Sequence, residues 1–172
     1  MSSYQVRPAV ESDADQVAAV HAHSLRAAHE AIAPESHAAL PMERRRSFWR
    51  EAIEFGEPLV HVAQDESGRV IGFVGFDRSR DPKSKATTGE IWAMYVEPTH
   101  WDKGAGLALW DAAREGLLEE GCTEVTLWLP LFNDRALRFF ELAGFKREIN
   151  TAKTVALGGV KVEEIRLRRP LD

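Results

Sequence analysis

Residues 95–113 read YVEPTHWDKGAGLALWDAA, and they place Lys103-Gly104-Ala105-Gly106 where an apolar strand hands over to a helix. Such a junction is a ready anion site. The first amides of a helix have no intrahelical acceptor, and the helix dipole adds about half a positive charge there. Glycines let a ligand approach the backbone, and Lys103 adds a point charge. A phosphate or diphosphate fits these conditions. Taken alone, the same four residues also make a plain tight turn whose glycines serve packing. The loop is not a P-loop, because the GxxxxGK[ST] order is absent, and not a dinucleotide fingerprint, because Leu109 stands where a third glycine is needed. Two further features flank it in the sequence. Glu90 is the one acid early in the strand before the loop, and Asn133 opens NDRALRFFELAGF.

These residues need elements to hold them. YQVR (4–7) reads as a strand. Ser12 or Asp13 caps a helix with Val17, Val20, Leu25 and Ala28 on its apolar face. Residues 42–55 form a second helix, with Phe48, Trp49, Ala52 and Ile53 apolar and Gly56 as its stop. The period then changes. Residues 58–64 and 70–77 form an antiparallel hairpin, and 89–98 is a third strand rich in β-branched and aromatic residues. The helix after the loop ends at Gly121, and 123–130 is a strand. Asn133 or Asp134 caps the next helix, which ends at Gly144, and FKREIN and VKVEEIRLRR close the chain as strands. The strand-helix-strand unit from 90 to 128 is expected to be a right-handed parallel crossover. The order predicts an α+β fold with a mixed sheet, not a doubly wound one.

A chain of 172 residues fits one domain, 1–172. Its net charge of -5 argues against a nucleic-acid partner. The sole cysteine, Cys122, offers neither a disulfide framework nor a zinc cluster. No apolar run approaches the roughly 20 residues that span a bilayer. The opening residues carry no signal-peptide pattern, so a cytoplasmic protein with no membrane partner is expected.

The stretch GEIWAMYVEPTHWDKGAGLALWDAA, followed by LWLPLFNDRALRFFELAGFKRE, resembles the acetyl-CoA-binding half of the GNAT superfamily of N-acetyltransferases. The likeness covers about residues 89–150, and VRPAVESDADQV and ERRRSFWREAI resemble the family's opening elements more loosely. It implies a mostly antiparallel sheet of six to seven strands flanked by helices, with a splayed parallel pair forming the CoA cleft. It implies acetyl-CoA as cosubstrate, no metal, and a small-molecule or peptide amine as acceptor. A homodimer is compatible with it.

Residue by residue, the resemblance implies that Met94, Tyr95 and Val96 bond pantetheine through their backbone, and that Trp101, Asp102, Lys103, Gly104, Ala105, Gly106 and Leu107 cradle the diphosphate. Asn133 would face the cofactor, with Arg135, Phe139 and Phe140 nearby. A backbone amide near Met94 or Tyr95 would polarise the thioester carbonyl. Glu90 is the candidate general base: an alkyl amine has a pKa near 10 and arrives protonated, and a carboxylate can take that proton directly or through water. Six residues separate Glu90 from Val96, which predicts that both share a strand face. Three positions depart from the family pattern. Trp101 replaces a usual Gln or Arg, and Asp102 replaces a usual Gly and repels phosphate unless it turns outward, so weaker phosphate binding is expected. Phe140 replaces a usual Tyr and cannot donate a proton.

The remaining candidates read plainly. His21, His23 and His29 lack paired acids at metal-ligand spacing. His29, Glu30 and His37 fall where the resemblance puts the acceptor pocket. Arg44-Arg45-Arg46 reads as a solvated helix face, Cys122 as a small buried residue, and Trp92 and Trp128 as core or pocket walls. Two functions remain open: an N-acetyltransferase, and a non-catalytic acyl-CoA sensor or partner-binding domain on the same fold, for which Phe140 is the best support.

Overall fold

The computed structural model describes residues 4–29, 41–157 and 160–172. Strand β1 (Gln5–Pro8) leads through a short 3-10 turn to α1 (Ala14–His29) and α2 (Met42–Phe55). Strands β2 (Leu59–Gln64), β3 (Val70–Arg78) and β4 (Thr88–Val96) follow, then α3 (Ala105–Glu119), β5 (Glu124–Pro130), α4 (Asp134–Leu142), β6 (Lys146–Leu157) and β7 (Val160–Pro170). The seven strands form one sheet in the order β1-β2-β3-β4-β5-β7-β6. Every neighbouring pair is antiparallel except β4 and β5. The mixed α+β architecture is therefore the expected one, with seven strands.

Two apolar layers hold the sheet. On one face α3 and α4 bury Leu109, Trp110, Ala113, Leu117, Leu137 and Phe140 against Phe76, Ile91, Val125, Leu127 and Leu167. On the other, Val17, Ala18 and Val20 of α1 and Trp49 and Ala52 of α2 cover Val62, Val70 and Phe73. Helix α2 has its expected bounds, and Gly56 ends it in the left-handed conformation that favours glycine. Its buried face differs from the expectation: Phe48 is exposed, and Arg45, read as part of a solvated run, is buried. At the start of α1, the Asp13 carboxylate accepts the Val10 amide and two Arg7 guanidinium bonds. Strand β6 runs well past 150, because its register against β7 shifts between Glu148 and Lys153 and pairing then resumes.

One irregularity changes the geometry of the site. Ile91 pairs with Phe76 and Ala93 pairs with Gly75, so β4 carries one extra residue, Trp92, opposite β3. A bulge of this kind breaks the two-residue alternation of side chains. Glu90 and Val96 consequently lie on opposite faces, against the expectation from their even spacing. Met94 and Val96 pack on the α3–α4 layer, whereas Tyr95 packs on the α1–α2 layer, the face that carries Glu90.

Candidate functional site

Strands β4 and β5 pair only over Thr88↔Glu124, Gly89↔Val125 and Glu90↔Thr126. Beyond that, β4 continues to Val96 beside β3, and β5 continues to Pro130 beside β7. The parallel pair therefore parts along residues 91–96 and 127–130, and the bulged Trp92 sits where it begins to part.

The loop at the end of β4 turns into α3 through two left-handed residues, Asp102 at φ 62° and Gly104 at φ 94°. Asp tolerates this conformation better than most residues, which accounts for an acid at 102. Gly106 lies close against α4: a Cβ there would be 3.2 Å from the Phe139 ring, so a larger residue requires that ring to shift. Among the described residues, the amides of Asp102, Lys103, Gly104, Ala105, Gly106 and Leu107 have no hydrogen-bond acceptor, and Ala108 is the first of the helix to find one, on Gly104. Six unbonded donors thus gather at the positive end of a 15-residue helix.

Asp102 is exposed and ion-paired with Arg135 of α4 at 3.0 Å. The Arg135 guanidinium also lies 4.3 Å from the centre of the Trp101 ring. Trp101 Nε1–H donates to the Val96 carbonyl at 2.9 Å, and Ser24 Oγ donates to the same oxygen at 2.9 Å. That carbonyl is thus already bonded twice. Lys103 and Leu107 are exposed, and Ala105 is buried. Asn133, not Asp134, caps α4, its side-chain oxygen accepting the Ala136 amide at 3.2 Å. Phe140 is buried edge-on against Phe139 and Phe145, inside the α3–α4 layer.

On the opposite face Glu90 is 2% exposed and fully engaged with Arg80. Its Oε1 accepts the Arg80 backbone amide at 2.9 Å, and its Oε2 accepts Arg80 Nη2 at 2.7 Å. The same guanidinium lies 4.0 Å over the Trp92 ring. Beside it, Asp81 accepts from Trp128 Nε1 at 3.0 Å and from Arg166 at 3.1 Å. Lys153 Nζ lies 4.0 Å from the centre of the Trp128 ring. The loop after β3 therefore supplies two charged residues, Arg80 and Asp81, to this face. Nothing in its composition signals that, because the pairing joins residues from β4, β5 and β7.

Cys122 is buried, and burial pushes its thiol up, as suits a structural residue. Glu30 and His37 lie outside the described residues, as does the side chain of His29. Among the described residues no three His, Cys, Asp or Glu side chains gather as metal ligands, and no helix is long and apolar enough to cross a membrane.

Comparison with known proteins agrees with this geometry. The sequence model of the Acetyltransferase (GNAT) family matches residues 22–145. YuaI of Bacillus subtilis, an uncharacterised N-acetyltransferase, is 28% identical over 166 residues, covering 96% of this chain and 92% of its own. Rv2669 of Mycobacterium tuberculosis, described in the same way, is 31% identical over 149 residues, covering 86% and 90%. Among solved structures, the acetyltransferase YncA of Salmonella typhimurium with its cofactor acetyl-CoA superposes with a TM-score of 0.76 at 21% identity, covering 99% of this chain and 95% of that one. The open parallel pair, the donor-rich helix start and the family match together show that the chain belongs to the GNAT family of acetyltransferases.

Proposed function

We propose that this chain is an acetyl-CoA-dependent N-acetyltransferase that acylates a primary amine by direct attack in a ternary complex. The observation that carries the reading is the set of six unbonded amides at residues 102–107, set at the mouth of the gap between β4 and β5. Such donors suit a diphosphate, and the gap suits an extended chain that bonds strand backbone. Met94, Tyr95 and Val96 would offer that backbone, through groups other than the Val96 carbonyl. Lys103 adds charge at the loop, while Arg135 can exchange Asp102 for phosphate and stand in for the polar side chain absent at Trp101. Asn133, Gly104, Gly106 and Phe140 act by shaping the cleft.

Acetyl-CoA supplies a thioester whose carbon the amine attacks, forming the amide C–N bond as the C–S bond breaks and the thiolate leaves. The bulge at Trp92 leaves an unpaired strand residue where the pair parts, and a backbone amide there suits polarisation of the carbonyl oxygen. This is two residues earlier than Met94. Glu90 takes one proton from the arriving ammonium through water, with Arg80 fixing the carboxylate, and the second nitrogen proton passes to solvent as the amide forms. No side chain at 140 returns a proton, and none is required, since a thiol of pKa about 8.5 leaves tolerably as thiolate.

The engagement of Glu90 by Arg80 and the phenyl ring at Phe140 favour a second reading, an acyl-CoA-binding domain without turnover. Thiol release from acetyl-CoA across a panel of primary amines separates the two. Amine-dependent release supports the transferase. Tight acetyl-CoA binding with no release on any amine supports the binding domain.

A further inference from the structure

Arg45 is the fourth residue of α2 and only 4% exposed. Among the described residues its basic neighbours pair with Glu43 and Asp15. Arg46 bonds Glu43 at 2.8 Å and lies 3.9 Å from Asp15, and Arg50 lies 3.7 Å from Asp15. Among the described residues no carboxylate pairs with Arg45, and its Nε is buried without a hydrogen-bond partner. A buried guanidinium with no counter-charge is costly. Its place in the first turns of a helix adds to that cost, because the dipole there is positive. An anion relieves both.

The groups around Arg45 do not supply that charge. Arg45 acts electrostatically on His21 and Tyr95, whose rings stack at 4.9 Å. Trp49 Nε1–H donates to His21 Nδ1 at 3.2 Å, which requires Nδ1 to be an acceptor. Burial, helped by Arg45, pushes His21 down to about 4, so it is neutral near pH 7. Burial pushes the Tyr95 phenol up, so it too is neutral. Among the described residues the cluster thus presents one cation with no paired carboxylate beside two neutral polar rings. Tyr95 lies on the β4 face that carries Glu90, where the amine is proposed to approach.

We propose that Arg45, with Tyr95 and His21, seats an anionic group of the acceptor, a carboxylate, so that the molecule acetylated carries both an amine and an acid. The assignment to the acceptor rests on the transferase reading; the anion seat does not. Tyr95 is three residues past the Trp92 bulge, about 10 Å along the strand. The amine and carboxylate are therefore several bonds apart, as in an ω-amino acid or a short peptide, and not on one carbon.

The seat is tested without cofactor by titrating the full chain with sodium acetate, against sodium chloride at equal ionic strength. The readouts are the His21 ring by NMR and the thermal midpoint. The expected result is a saturable rise of the His21 pKa from about 4 toward 6.5 and a higher midpoint, both lost in Arg45→Met. That variant, relieved of its buried charge, melts above the wild type when acetate is absent. No saturable change in the wild type, or the same change in Arg45→Met, overturns the seat. So does a variant that melts lower without acetate, which would mean that an acid of the chain already answers Arg45. In the thiol-release assay 6-aminohexanoate is used at least about tenfold faster than 6-aminohexanamide, and Arg45→Met abolishes the preference. Equal rates in the wild type, zero included, overturn the assignment to the acceptor. A seat that binds acetate in a chain that does not bind acetyl-CoA removes the transferase reading and leaves the seat standing.

Discussion

The Arg80 guanidinium holds the buried carboxylate of Glu90 at 2.7 Å while its own plane lies 4.0 Å over the Trp92 ring. One residue of the β3–β4 loop thus ties the candidate base to the bulge where the parallel strands part. Removing Arg80 leaves Glu90 buried and half satisfied, because only the backbone amide of residue 80 remains to it. Arg80→Met is expected to lose about 2–3 kcal/mol of stability, less than a fully buried pair because Arg80 is half exposed. Denaturant midpoints of Arg80→Met, Glu90→Gln and the double variant check this, and the double variant should recover part of the loss.

Glu90→Gln keeps the shape of the side chain and removes the proton acceptor. The proposed mechanism predicts a fall in kcat of about 10²–10⁴-fold with unchanged acetyl-CoA affinity. A rate and pH profile like those of the wild type would mean that Glu90 serves only to hold Arg80.

Asp102 puts a negative charge beside six unbonded amides and occupies Arg135. The ion pair is exposed, so Asp102→Asn should change stability by less than about 1 kcal/mol. Freeing Arg135 and removing the like charge should tighten acetyl-CoA binding about two- to fivefold at low salt, an effect that fades at high salt. Isothermal titration at two salt concentrations reads both parts.

Gly106→Val drives a side chain into Phe139, 3.2 Å from the added Cβ. The expected cost is about 1–3 kcal/mol of stability, with weaker acetyl-CoA binding as α4 is pushed from the loop. Gly121→Ala serves as the control, since nothing lies within 4 Å of its added Cβ. Its left-handed φ of 84° costs stability there too, and cofactor binding should be untouched.

The His21 pKa is lowered from 6.5 to about 4, chiefly by burial. The folded state therefore prefers the neutral ring, and stability from this group is complete above pH 6.5 and lost as pH falls toward 4. The full effect is about 3 kcal/mol. Protonation also removes the acceptor of the Trp49 indole. Thermal midpoints from pH 7 to pH 4 should fall more steeply in the wild type than in His21→Gln.

The order and type of the elements were legible because each carries a plain signal: a change of period at residue 58, Gly56 and Gly121 as stops, and Asn133 at a helix start. The family motif was legible for the same reason, since it sits in contiguous stretches. The facing of Glu90 was not. Alternation counts residues, and the extra residue at Trp92 is a backbone event that side-chain types do not announce. The burial of Arg45 was hidden because a run of three arginines reads as solvated, although a helix turns each to a different side. The Arg80–Glu90 pair was hidden because the chain folds back through a loop to make it.

In the proposed function, residues 102–107 and the gap between β4 and β5 together bind acetyl-CoA. Calorimetric titration of the chain with acetyl-CoA, and separately with ADP, tests it most directly. The expected result is saturable one-site binding of acetyl-CoA, at least about tenfold tighter than ADP, since only acetyl-CoA fills the gap as well as the loop. Absence of binding, or equal affinity for the two, would contradict it.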